Sequence, residues 1–177
     1  GELWFRVPEI IEVRLEGKAP EGVFPKDVIL NVLGRIKADG AVYKAIDFTG
    51  SYVESLNVAG RMVICNMAVE MGAKTAYMQP NQDVLDYVSK RAVRPFEVQD
   101  TDPGFEYGES HVFDVSGMEA QLASPHSVYN VATLAHVTAN REIKLNQGYR
   151  GTCPGGREET IAVAATSGKG RHRQPYR

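Results

Sequence analysis

The sequence predicts an α/β fold in which helices flank a mixed or parallel sheet, and three observations carry that expectation. Short segments of alternating apolar residues recur along the chain, apolar residues at helical spacing fill the stretches between them, and Pro25, Gly40 and Pro80-Asn81 punctuate the junctions. Ile11, Val13 and Leu15 alternate with charged residues, so residues 9–16 form a half-buried strand. Pro25 then precedes Val28, Ile29, Val32, Leu33 and Ile36, and this spacing predicts a helix over 26–38 that Gly40 ends. Val42, Ile46 and Phe48 share one parity and predict a second strand. Residues 60–72 are apolar on nearly every face, as in a buried helix, and 75–78 follow as a short strand. Beyond Pro80-Asn81 a further helix is predicted over 83–90, with Val84, Leu85 and Val88 turned inward.

Residues 94–108 are rich in Pro, Asp and Gly and predict a long connection, the one place where a domain of residues 1–167 could divide into two lobes. Residues 111–115 read as a strand, and Ser124-Pro125-His126 opens an irregular stretch. Residues 147–151 predict a strand that leads into Cys153-Pro154-Gly155-Gly156-Arg157 and then a helix through Ala165. Residues 168–177 carry Lys169, Arg171, Arg173 and Arg177 without an apolar face, as in a basic tail or the stump of an interrupted larger fold.

Composition bounds the function without naming it. The 177 residues are 43% hydrophobic and 24% charged, ordinary proportions for a globular domain able to bury a core. A formal net charge of −2 gives no field that would draw nucleic acid or an anionic membrane. No apolar run approaches the roughly 20 residues of a membrane span, and no charged-then-apolar leader is present. Cys65 and Cys153 are the only cysteines, and Cys65 lies in an apolar run, so a reducing cytoplasm is expected rather than a disulfide framework.

Chemistry shows in two places. Between Val63 and Gly72 only Asn66 and Glu70 interrupt the apolar helix, and at a spacing of four they share a face. A buried carboxylate is costly unless paired or protonated, so Glu70 requires either a structural partner, such as a buried arginine, or a place in an active site. The second place is Gly151-Thr152-Cys153-Pro154-Gly155-Gly156-Arg157 at the predicted strand-to-helix turn. Glycines permit close approach of a bulky group, helix amides favour an anion, and a cysteine there is suited to act as a thiolate ligand. An ordinary glycine-rich turn with an incidental thiol accounts for the same residues, and the segment lacks the Gly-Lys-Ser/Thr ending of a phosphate-binding loop.

The run Arg61-Met62-Val63-Ile64-Cys65-Asn66-Met67-Ala68-Val69-Glu70-Met71-Gly72-Ala73 resembles the long signature of the hydratase subunits of the aconitase family. Trp4-Phe5-Arg6-Val7-Pro8-Glu9, Asp47-Phe48-Thr49-Gly50, Ala123-Ser124-Pro125-His126-Ser127-Val128-Tyr129-Asn130-Val131 and Gly151-Thr152-Cys153 with Gly156-Arg157 continue the likeness in the same order. It extends over nearly the whole chain and is nearest the large subunits of 3-isopropylmalate dehydratase and homoaconitase.

The resemblance implies a layered aconitase-type domain, incomplete relative to the family. It implies a hydro-lyase that moves a hydroxyl between adjacent carbons of a hydroxy di- or tricarboxylate of the 3-isopropylmalate, homocitrate or dimethylmalate type. The family uses a 4Fe–4S cluster as Lewis acid, works with a small-subunit partner carrying a swivel domain, and serves biosynthesis of amino acids such as leucine. Cys153 corresponds to its first cluster cysteine, and Asn66 and Glu70 to its active-site Asn and Glu. Glu70 would position the substrate hydroxyl or handle its proton, with Asn66 hydrogen-bonding in the same pocket.

Departures from the family pattern are equally plain. The Cys-x-x-Cys pair that completes the cluster, the early His and Asp-Ser-His motifs, the substrate-binding arginines and the serine base have no counterpart in these residues. Where the family has Cys-Thr-Asn-Gly-Arg, this chain has Cys153-Pro154-Gly155-Gly156-Arg157, and Pro154 removes a backbone donor. The expectation is a piece of a hydro-lyase large subunit that holds no cluster and is inactive alone. Two alternatives remain, a non-catalytic binding or assembly module that kept the fold, and an unrelated anion-binding domain using the 151–157 turn.

Overall fold

The computed structural model describes residues 1–139, 148–149 and 151–167. Strand β1 (Ile10–Glu16) is central to a four-stranded sheet. It pairs in parallel with β2 (Ala45–Thr49) on one side and β4 (Glu109–Asp114) on the other. The short β3 (Thr75–Tyr77) adds in parallel beyond β2, giving the order β3-β2-β1-β4. This is the α/β architecture with parallel pairing that the alternation of strands and helices predicts.

One face of the sheet is apolar. Ile11, Val13 and Leu15 of β1 and Ile46 and Phe48 of β2 are buried in one core with Val28, Ile29, Val32 and Leu33 of helix α1 (Pro25–Ile36). Each such side chain contributes on the order of 1.5–3 kcal/mol relative to exposure. Pro25 occupies the first helical turn, where its missing N–H costs nothing, and Asp27 accepts the Phe24 amide at 2.8 Å. The helix stops at Ile36 rather than reaching residue 38. Lys37 adopts φ 69° while its amide donates to the Leu33 carbonyl, so the turn is closed by a residue that no composition rule marks as a terminator.

The other face of the sheet is polar. The side chains of Glu12 and Asp47, opposite each other in register, are buried on it. Glu12 accepts hydrogen bonds from Thr49 at 2.7 Å, Ser110 at 2.6 Å and Arg14 at 2.9 Å. Asp47 accepts from Tyr107 at 2.6 Å and Thr101 at 3.1 Å. Those last two donors lie in the connection over 94–108, which forms no strand or helix and crosses this face.

Two expectations need correction. Val42 is not in a strand: it is exposed in a turn, Tyr43 takes φ 58°, and β2 begins only at Ala45. The helix expected over 60–72 is two segments. Helix α3 (Val58–Asn66), capped by the Asn57 side chain on the Gly60 amide at 2.9 Å, passes into a 3-10 helix over Met67–Met71. Gly72, at φ 82°, ends that turn in the left-handed conformation.

Helix α2 (Ser51–Ser55) follows Gly50, where an added Cβ would lie 2.3 Å from the Leu15 carbonyl oxygen at φ +99°. Only glycine allows the chain so close to the end of β1. Helix α4 (Gln82–Ser89) has Val84, Leu85 and Val88 half-buried. The antiparallel pair β5 (Gln121–Ala123) and β6 (Val131–Thr133) packs on α1, with the Gln121 amide donating to Asp27 at 2.8 Å. Short α5 (Leu134–Thr138) and the longer α6 (Glu158–Ser167) complete the described elements.

Of the strand expected over 147–151, Gln147 and Arg150 lie outside the described residues, and Gly148, Tyr149 and Gly151 belong to no regular element. The basic segment 168–177 lies outside them as well. Among the described residues, no helix is long and apolar enough to cross a membrane.

Candidate functional site

A cavity of about 1030 Å³ opens beside α3, which is ample for a metabolite-sized ligand. The amino end of α1 gives it Phe24 and Asp27, α2 gives Tyr52, α3 gives Gly60 and Val63, and the 3-10 segment gives Met67 and Glu70. The turn after residue 151 adds Thr152, Pro154 and Arg157 to the lining, and the start of α6 adds Glu159. Residues from both of the places where the sequence shows chemistry, Glu70 and the 151–157 turn, therefore line one cavity although they are distant in the chain.

Glu70 is half-buried, and its Oε2 is buried without a hydrogen-bond partner. The arginine nearest in sequence does not serve it. Arg61 is buried and donates to three backbone carbonyls, those of Leu56 at 3.0 Å, Val53 at 2.8 Å and Gln79 at 2.7 Å. Burial pulls the Arg61 guanidinium below its usual value, an effect that Cys65 and nearby carboxylates oppose. The structural explanation of Glu70, a pair with a buried arginine, is not what this fold makes.

Asn66 and Glu70 do not share a face. Three residues complete a 3-10 turn, so the phase set by α3 up to Asn66 is lost before Glu70 is reached. Asn66 is exposed and is not among the residues lining the cavity.

Cys153 is exposed and free, in a turn whose neighbours Thr152 and Pro154 both line the cavity. The Gly155 amide donates to the Thr152 carbonyl and hydroxyl, each at 3.2 Å, and the Gly156 amide to the same carbonyl at 2.7 Å. A Cβ on Gly156 would stand 2.9 Å from that carbonyl oxygen, so the second glycine is a requirement of the turn. Helix α6 begins at Glu158, beyond the turn, so Cys153 does not sit at its amino end as the sequence suggests. Cys65 differs: it is half-buried, and burial pushes its thiol up to about 11, with Arg61 opposing. Among the described residues no group of three His, Cys, Asp or Glu side chains could hold a metal ion.

Two lining groups escape a reading of the sequence. Burial, with the Asp27 charge behind it, raises the Tyr52 phenol to about 12. Arg157 directs Nη2 to the sulfur of Met62 while its Nε is buried without a partner. Its position after a glycine pair is visible in the sequence, but its place in one cavity with Glu70 depends on packing between distant segments.

Residues 1–174 match the family model described as "Aconitase family (aconitate hydratase)". Over 166 residues the chain is 46% identical to a probable methanogen homoaconitase large subunit of Methanothermobacter thermautotrophicus, covering 93% of this chain and 38% of that protein. It is 45% identical to 3-isopropylmalate dehydratase large subunit 1 of Methanopyrus kandleri, again over 93% of this chain and 39% of the relative. The 3-isopropylmalate dehydratase large subunit of Heliobacterium modesticaldum is 39% identical over the same shares. The chain thus spans about two fifths of the length of these curated relatives. With the match running almost from end to end, the chain belongs to the aconitase family.

Proposed function

We propose that this chain forms one wall of the active site of a hydro-lyase large subunit, which isomerises a hydroxy di- or tricarboxylate by dehydration and rehydration. The observation that carries the proposal is Glu70, a carboxylate with a buried, unpartnered oxygen in a metabolite-sized cavity that the neighbours of Cys153 also line. A carboxylate kept in that state stabilises nothing in the fold and is available to a ligand.

The exposed thiol of Cys153 suits one ligand position of a 4Fe–4S cluster, whereas Cys65, at about 11, stays a thiol at neutral pH. When bound, the cluster supplies Lewis-acid activation of the substrate hydroxyl, and its other protein ligands would come from beyond the described residues. Glu70 accepts or returns the proton of that hydroxyl across the cavity. Asn66 enters through family correspondence alone, as a hydrogen-bonding group on the open side of α3. Relatives named as homoaconitase and 3-isopropylmalate dehydratase large subunits support a small-subunit partner. The family resemblance extends the reading to a substrate of the 3-isopropylmalate, homocitrate or dimethylmalate type and to a cytoplasmic place in amino-acid biosynthesis such as that of leucine.

A non-catalytic module retaining the fold is the second reading. It is favoured by Pro154, which removes an amide donor from the turn beside Cys153. Two variants in a longer protein containing this chain decide between them. Cys153→Ser should lose cluster iron, cluster sulfide and turnover together. Glu70→Gln should keep the cluster and lose turnover by roughly 10²–10⁴-fold, the range for a positioned acid or base. Full activity in Glu70→Gln would end the catalytic assignment.

A further inference from the structure

The family likeness includes Arg157 without giving it a task, yet its surroundings in the cavity are unusual for a guanidinium. Arginine carries five N–H donors and no acceptor. Here Nη2 meets the Met62 thioether, a weak acceptor, and Nε is buried with no partner at all. Glu70 lines the same cavity with its own unpartnered oxygen, and no ion pair joins the two. Opposite charges that share a cavity without pairing leave two complementary demands: an oxyanion for the arginine, and a hydrogen-bond donor for the glutamate. A hydroxycarboxylate meets both with one molecule.

The geometry points to Arg157 as a carboxylate-binding residue. It holds a carboxylate of the substrate by charge-assisted hydrogen bonds while the substrate hydroxyl faces Glu70. This deepens the proposed hydro-lyase function and rests on it for the identity of the ligand, but not for the existence of the binding site. The fork of the guanidinium matches two carboxylate oxygens, which an ammonium group cannot reproduce. The site therefore orients the ligand as well as attracting it.

The test uses malate and succinate as probes, titrated into the chain without a cluster and followed by amide chemical shifts. Malate should bind, with shifts at Glu70 and Arg157. Arg157→Gln should weaken both malate and succinate by about 10- to 100-fold, the size expected for lost hydrogen bonds to a charged group. Arg157→Lys should recover part of that loss, which a merely structural arginine would not predict. Glu70→Gln should weaken malate and spare succinate, which has no hydroxyl. Thermal unfolding of each variant separates lost binding from lost fold. Unchanged malate affinity in a folded Arg157→Gln chain, or no binding of malate by the unsubstituted chain, overturns the proposal.

The two assignments fail separately. In a longer, active protein, Arg157→Gln should raise KM with a smaller effect on kcat. Unchanged KM there removes the carboxylate site and leaves the hydro-lyase reading intact. Malate binding through Arg157 in a protein whose turnover survives Cys153→Ser removes the hydro-lyase reading and leaves the carboxylate site.

Discussion

Arg61 Nη1 donates to the carbonyl of Gln79 at 2.7 Å, which fastens α3 to the segment just beyond β3. The same guanidinium holds the carbonyls of Val53 and Leu56, where α2 ends and the chain turns into α3. One buried cation thus fixes three backbone segments around the cavity wall. The guanidinium is thus directed at these carbonyls and not at Glu70.

Arg61→Met should therefore be among the most destabilising single changes, by about 3 kcal/mol, since it leaves buried carbonyls without donors. Arg61→Lys should recover little, because one ammonium cannot reach three carbonyls in different directions. Urea unfolding of the chain reads both. A loss below ~1 kcal/mol in Arg61→Met would mean that water replaces the guanidinium.

Glu12 gives the fold a pH dependence. Burial pushes its carboxyl up, but the hydrogen bonds from Ser110, Thr49 and Arg14 together outweigh that and hold it below the ordinary 4.5. A depressed folded-state value means stability that is complete above about the ordinary value and is lost as pH falls through the folded one. Glu12→Gln should flatten the acid limb of stability measured below pH 4.5 while lowering stability at pH 7. An unchanged acid limb would show that Glu12 does not carry the transition.

The elements legible in the sequence are those whose signal is local. Ile11, Val13 and Leu15 declare β1, and the spacing from Val28 to Ile36 declares α1, because burial of one face imposes a period. The break after Asn66 is not legible, since an α-helix and a 3-10 turn bury the same apolar run and differ only in phase. Nor is the polar sheet face, for Glu12 and Asp47 find Ser110 and Tyr107 through long-range packing. At the site, Glu70 stands out as a lone carboxylate in an apolar run, and Cys153 through its glycine-rich turn. Arg157 gains its meaning only when the turn before α6 lines one cavity with the 3-10 segment, which no spacing along the chain encodes.

The two thiols should separate cleanly by alkylation. Cys153 is exposed, while the Cys65 thiol is half-buried and raised to about 11. At pH 8 only about a thousandth of Cys65 would be thiolate, the nucleophilic form. Iodoacetamide should therefore give a single adduct at Cys153, with the second appearing as pH approaches 11 or on unfolding. A first adduct at Cys65 would contradict the packing around α3.

Glu70 allows a test in which stability and function move in opposite directions. Its Oε2 is buried without a partner, which costs about 1–3 kcal/mol relative to a satisfied or apolar group. Around it the cavity presents Val63 and Met67, so an unbranched apolar side chain has surfaces to meet. Glu70→Met should accordingly raise the stability of the chain, by about 1 kcal/mol, and shift the urea midpoint upward at constant slope. In an active parent protein the same change should abolish turnover. A residue whose removal stabilises the fold is held in place by something other than folding, and a ligand is the remaining claimant. If Glu70→Met instead destabilises by more than ~1 kcal/mol, the carboxylate has a structural partner in solution, and its place in the proposed active site falls with that result.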